Sequence, residues 1–210
     1  LDAGKKKPCL CAGLFFIYLV NLSPHFTIRM QKGFVFSDSQ IRFAQLSDLA
    51  ALEQLVNSAY RGESSRKGWT TEADLLDGIR THQQQLTEQI TADDSVMLVI
   101  TDTHAAIIAC VYLQDKDSVL YLGMLTVQPS LQAAGTGKKL LAASEAYAQW
   151  LGRSGIQMTV ISVRNELITW YQRRGYRLTG EKMPFPNHLA LGIPKQSLEF
   201  LVLEKILPTQ

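Results

Sequence analysis

Cysteine is scarce in this chain: there are three among 210 residues, Cys9, Cys11 and Cys110, and the four histidines gather around none of them. That scatter excludes a zinc ribbon or finger, and no metal site is expected; Cys110 falls in an apolar strand-like run and reads as inert core. A preponderance of one charge sign is missing as well. The formal net charge is +2 with acids and bases interspersed, so there is no broad positive field to hold nucleic acid by its phosphates. Acids are absent from Gly4 to Ser37, where Lys5, Lys6 and Lys7 precede the apolar run Cys9 to Leu22. That run is shorter than the roughly 20 residues a membrane-spanning helix needs, and Asn21-Leu22-Ser23 is a poor small-residue cleavage site. Residues 1–40 therefore read as a separate leader: either a signal or weak anchor, or an appended or upstream-translated segment with little bearing on catalysis. The expected location is cytoplasmic, unless the leader targets the chain or tethers it to a membrane.

What is present supports one core. Hydrophobic residues make up 46% of the chain, and residues 41–210 suit a single domain. Ile41 to Ala44 reads as a short strand, and Ser47 as the cap of a helix with Leu49, Leu52, Leu55, Val56 and Ala59 at helical spacing. Tyr60 to Trp69 is a polar loop, Thr70 or Thr71 caps a second helix through Arg80, and a further turn or two covers Leu86 to Ile90. Val96 to Thr101, Ala105 to Leu113 and Val119 to Val127 predict an antiparallel meander. A helix to about Arg153 and a strand from Ile156 to Val163 follow, an order that implies a parallel crossover. A short helix opening at Asn165 and two last strands complete an α/β (α+β) arrangement.

Chemistry concentrates where the third meander strand meets its helix, at Gln132-Ala133-Ala134-Gly135-Thr136-Gly137-Lys138. Two glycines let main chain approach a ligand, and the unpaired N–H groups of the helix start favour an anion. A Walker A loop needs a glycine and a hydroxyl where this chain has Gln132 and Lys139, and a dinucleotide fingerprint needs a glycine where it has Leu140. Nucleotide hydrolysis is thereby disfavoured. What fits is Q/R-x-x-G-x-G/A. About thirty residues on, a β-branched strand leads to Asn165, an expected N-cap, and then to Tyr171-Gln172-Arg173-Arg174-Gly175-Tyr176, where Gly175 ends the helix.

These two segments resemble the GNAT superfamily of acyl-CoA N-acyltransferases, over about Ile41 to Ile206. The resemblance implies a mixed sheet of six to seven strands, splayed between the fourth and fifth and flanked by about four helices. It implies acetyl-CoA as acyl donor, bound by main-chain groups of Leu125, Thr126 and Val127 along the acyl-pantetheine arm. Around the pyrophosphate it implies Gln132, Ala133, Ala134, Gly135, Thr136, Gly137 and Lys138, with Asn165 also touching the arm. Tyr171 takes the position of the phenol that protonates the departing thiolate. The acceptor pocket is expected around Tyr60, Glu63, Trp69, Glu72 and Phe185, with Glu63 or Glu72 orienting the amine or acting as base. The implied partner is a small-molecule or peptide amine, bound by a monomer or homodimer. The alternative on the same fold is a catalytically inactive acyl-CoA sensor or interaction domain.

Overall fold

The computed structural model describes residues 31, 33–186 and 192–208; most of the leader, with Cys9 and Cys11, lies outside them. Seven strands form one sheet: β1 (Ile41–Phe43), β2 (Ser95–Thr101), β3 (Ile107–Lys116), β4 (Val119–Val127), β5 (Gly155–Ile161), β6 (Arg177–Pro184) and β7 (Glu199–Ile206). Their spatial order is β1-β2-β3-β4-β5-β7-β6, antiparallel throughout except for the parallel β4–β5 pair. The main helices are α1 (Leu49–Tyr60), α2 (Gln83–Thr91), α3 (Thr136–Trp150) and α4 (Asn165–Gln172).

The apolar run of β2 shows why the sheet is covered on both faces. A strand turns successive side chains to opposite sides. Val96, Leu98 and Ile100 accordingly enter one core with Leu140, Leu141 and Tyr147 of α3 and Ile168 and Tyr171 of α4. Met97 and Val99 enter the other with Leu52, Leu55, Val56 and Ala59 of α1 and Leu86 and Ile90 of α2. Cys110 is buried in this second core, as expected. Phe34 and Phe36 pack on the first, Phe34 edge-on to Tyr147 with ring centroids 5.1 Å apart, so the packed unit begins ahead of Ile41.

Three local expectations are corrected. The helix expected from Thr70 to Arg80 is a loop, because Gly78 takes a left-handed φ of 86° that a helix interior does not allow. Leu76–Asp77 instead forms a two-residue ladder with Ile193–Pro194. The second helix lies later, where polar Gln83-Gln84-Gln85 hides a face of only Leu86 and Ile90, and His82 caps it by accepting the Gln85 N–H at Nδ1 (3.2 Å). Ser47 does not cap α1; it sits within a 3-10 turn, Leu46–Asp48, where the Asp48 carboxylate accepts the Gln45 N–H (2.8 Å) and pairs with Arg42. Asn165 does not cap α4 either, since Arg164 occupies that position.

The feature that positions the site is the parting of β4 from β5. Only Val119, Leu120 and Tyr121 pair with Gly155, Ile156 and Gln157; beyond them the strands diverge, bridged by the Tyr121 and Thr159 hydroxyls at 2.9 Å. On its other edge β4 carries a bulge. Cys110 faces Thr126 and Tyr112 faces Gly123, so Val111 stands opposite both Met124 and Leu125, with Met124 at φ 52°. A bulge bends its strand and increases the local twist, which fits the departure of β4 from its parallel neighbour.

Candidate active site

Beyond Val127, a 3-10 turn over Pro129–Leu131 leads to a loop with two left-handed residues, Ala133 (φ 68°) and Gly135 (φ 88°), before α3 starts at Thr136. No side chain caps the first turn of α3 and no acid lies in it, so its N–H groups have the character of an anion seat. A Cβ placed on Gly135 would meet no atom within 4 Å, and one on Gly137 would only touch Trp170 and Val127 at 3.6 Å. The space in front of the loop is open.

Gln132 holds that loop in place. Its Oε1 accepts the Trp69 N–H (2.9 Å), and its Nε2 donates to the Thr70 hydroxyl (2.8 Å) and the Val127 carbonyl (3.1 Å). One side chain thus ties the loop, the end of β4 and the segment after α1 together. The approach is so close that a Cβ on Gly68 would stand 2.6 Å from Gln132 Oε1. Gly68→Ala is expected to push the amide out of its three hydrogen bonds, costing about 1–2 kcal/mol. For a domain of this size that is a fall in Tm of roughly 2–8 °C, readable by thermal melting.

Two hollows open on either side of the parted strands. A smaller one of about 250 Å³ lies against the loop, lined by Val127, Gln132, Ala133, Gly135, Gly137 and Lys138 together with Trp69, Trp170 and Arg174. A larger one of about 550 Å³ lies between β4, β5, β6 and the loop after α1, and includes Glu72, Arg80, Arg164 and Phe185. Tyr60, Leu125, Leu167 and Tyr171 line both. Both phenols therefore stand where the hollows adjoin.

The two tyrosines are held differently. Tyr60, at the end of α1, donates to the Leu125 carbonyl (2.8 Å), and burial pushes its phenol up to about 12, with the Glu72 carboxylate adding to the effect. Tyr171 packs edge-on against Trp170 and Tyr176 and is 5% exposed, yet its hydroxyl has no hydrogen-bond partner among the described residues. Burial raises its phenol well above the ordinary value, so it is a held proton.

Main-chain orientation separates the three β4 residues expected at the donor. Gln128 donates to the Ile108 carbonyl on β3 (2.9 Å), and backbone groups alternate sides along a strand. Thr126 is therefore directed to β3, with its hydroxyl on the Met124 carbonyl (2.9 Å), while Leu125 and Val127 face the opening. Their carbonyls already accept from Tyr60 and Gln132.

Of the other expected residues, Ala134, Thr136 and Asn165 line neither hollow. Trp69 lines the smaller hollow rather than the larger. Phe185 and Glu72 line the larger one, but the Glu72 carboxylate is engaged by Arg61 (2.5 Å) and lies 3.7 Å from Arg164. Glu63 points to solvent, its side chain 92% exposed and paired with Arg66.

Three cationic residues line the hollows without an expected role in the sequence. Arg174, in the turn just beyond α4, lies over the Trp170 ring at 3.6 Å and donates to the Trp170 carbonyl (2.6 Å). Arg164, buried, donates to the Trp69 carbonyl (3.3 Å). Arg80 comes from the loop misread as helix, and no local pattern marks it.

A glycine loop at a helix start faces a parted parallel strand pair, the arrangement that the GNAT resemblance implies. A family model described as an acetyltransferase (GNAT) domain matches residues 71–189, over half of the chain, and the chain belongs to that family. It is thus a transferase of the acetyl-CoA-binding GNAT class. No curated protein matches the sequence. Solved structures share the fold at low identity. The ribosomal-protein-S18-alanine N-acetyltransferase from Escherichia coli is 13% identical with a TM-score of 0.61, covering 81% of this chain and 94% of that one. An acetyltransferase of the GNAT family from Streptococcus pneumoniae is 19% identical with a TM-score of 0.57, covering 80% and 98%. A phosphinothricin acetyltransferase from Sinorhizobium meliloti, solved with AcCoA, is 16% identical with a TM-score of 0.59, covering 80% and 87%.

Among the described residues no group of three or more His, Cys, Asp or Glu side chains is arranged to hold a metal ion, and no helix is long and apolar enough to cross a membrane.

Proposed function

We propose that the protein transfers an acetyl group from acetyl-CoA to a primary amine by direct attack, with both substrates bound at once. The observation that carries this reading is the meeting of the two hollows at Tyr60, Leu125, Leu167 and Tyr171. The diphosphate lies on the N–H groups from Ala133 to Lys138, the pantetheine arm runs along Leu125 and Val127, and the thioester reaches the junction. The amine occupies the larger hollow.

An amine of lysine type has a pKa of about 10.4, so presenting it unprotonated near pH 7 costs about 1.36 kcal/mol per unit of mismatch. Glu63 stands in solvent and Glu72 is occupied by its arginine partners, so we assign proton removal to water within the larger hollow. The nitrogen lone pair then forms the C–N bond, the C–S bond breaks, and Tyr171 protonates the leaving thiolate; the second proton of the nitrogen, released as the amide forms, passes through the same water and returns Tyr171 to the neutral phenol that burial favours.

The test is release of free coenzyme A thiol from acetyl-CoA against a panel of amino acids, small amines and peptides. Acceptor-dependent release is the expected result. Acetyl-CoA binding without release for any acceptor would leave the inactive sensor as the function of this fold.

A further inference from the structure

The larger hollow is lined by five ionisable charged side chains: Glu72, Arg80, Lys116, Arg164 and Glu181. Their charges are not balanced against one another. Glu72 is spent on Arg61, at 2.5 Å, and on Arg164, at 3.7 Å. Glu181 stands on the exposed strand β6. Arg80 has no ion pair and no side-chain hydrogen bond among the described residues; its guanidinium lies 5.6 Å from the centroid of the Tyr60 ring. Arg164 is 7% exposed, and its Nη1, the atom 3.7 Å from the Glu72 carboxylate, has no hydrogen-bond partner among the described residues.

A buried guanidinium nitrogen left unbonded costs free energy, and an arginine fork suits a carboxylate, which can accept two parallel N–H bonds. Both guanidiniums act electrostatically on Tyr60, and Arg164 also acts on Tyr171. Tyr60 in turn donates to the Leu125 carbonyl at the junction of the hollows. An anion held by these arginines is thus within one side chain's reach of the junction, which sets the distance between anion and nucleophile in a bound molecule.

We propose that the acceptor is a compact amino acid, a primary amine with a carboxylate close by, its carboxylate anchored by Arg80 and Arg164 so that its nitrogen is presented at the junction. This rests on the transferase reading above and adds the chemical class of the acceptor. A lysine side chain in a folded protein or a peptide N-terminus lacks a carboxylate so close to its nitrogen; it leaves Arg80 without a counter-charge and Arg164 with only the Glu72 carboxylate at 3.7 Å, which Arg61 already holds.

The probes are the common α-amino acids and their α-carboxamides, compared by coenzyme A thiol release and, separately, by calorimetric titration into protein saturated with coenzyme A. The expected result is a preference for acid over matched amide of about tenfold or more in kcat/KM or Kd, the scale of charge-assisted hydrogen bonds. In Arg80→Gln that preference collapses toward unity, and Arg80→Lys restores part of it. Equal use of acid and amide, an unchanged preference in Arg80→Gln, or calorimetric silence toward every amino acid would each overturn the proposal. Thiol release with peptides or polyamines alone would overturn it while leaving the transferase reading intact. If no acceptor releases thiol, the transferase reading fails, and calorimetry still decides whether the arginines hold a carboxylate.

Discussion

Gly135→Glu is expected to abolish acetyl-CoA binding, with an affinity loss of about a hundredfold or more in a calorimetric titration. Two effects act together. Gly135 sits at φ 88°, where a residue with a Cβ is strained by about 1–2 kcal/mol. The added carboxylate also enters the open space before the first N–H groups of α3, the seat proposed for the diphosphate, and meets its charge with like charge. Because a Cβ at this position meets no atom within 4 Å, the protein itself accepts the side chain without collision. Gly135→Ala separates the contributions, carrying the strain without the charge. A melting curve near that of the parent keeps the result specific to the ligand. Retained micromolar affinity in Gly135→Glu would contradict the placement of the diphosphate.

Tyr171→Phe is expected to lower kcat by about a hundredfold or more, the lower range for loss of a positioned acid, with the Kd for acetyl-CoA nearly unchanged. The ring and its contacts with Trp170 and Tyr176 persist in phenylalanine, so only the proton is removed. Burial holds this phenol neutral beyond its ordinary range. The acid therefore remains loaded, and its contribution to turnover shows no alkaline decline up to about pH 10. The sign for stability follows from the same shift. Below about pH 10 the phenol is neutral in folded and unfolded chains alike; above it the unfolded chain releases a proton that the folded chain retains, so stability falls as pH rises. Unaltered turnover in Tyr171→Phe would reject the acid role and leave Tyr171 as a core aromatic.

How legible this was depended on whether the information was local. The loop from Gln132 to Lys138 could be read because its glycines, its strand and its helix are contiguous, and the parallel crossover followed from a helix between two strands. The reach of Gln132 back to Trp69 and Thr70, across more than sixty residues, had no local mark. Gln83–Thr91 was underestimated because a helix packed through two apolar residues shows little periodicity. The segment from Thr70 to Arg80 has a good cap at either threonine, but the left-handed turn at Gly78 breaks the helix. Arg80 lies at the end of that loop, where no sequence pattern marks its place in the larger hollow. The roles expected of Glu63 and Glu72 depend on which way each side chain faces, which sequence spacing does not fix: Glu72 turns to Arg61 and Arg164, and Glu63 to solvent beside Arg66.

The adjoining hollows bear on the order of events. On the proposed reading, donor and acceptor occupy separate chambers that touch along Tyr60, Leu125, Leu167 and Tyr171, and neither molecule has to vacate its berth before the other arrives. Initial-rate plots with both substrates varied should then show intersecting lines, the kinetic mark of a sequential scheme; the parallel lines of a ping-pong exchange would contradict it.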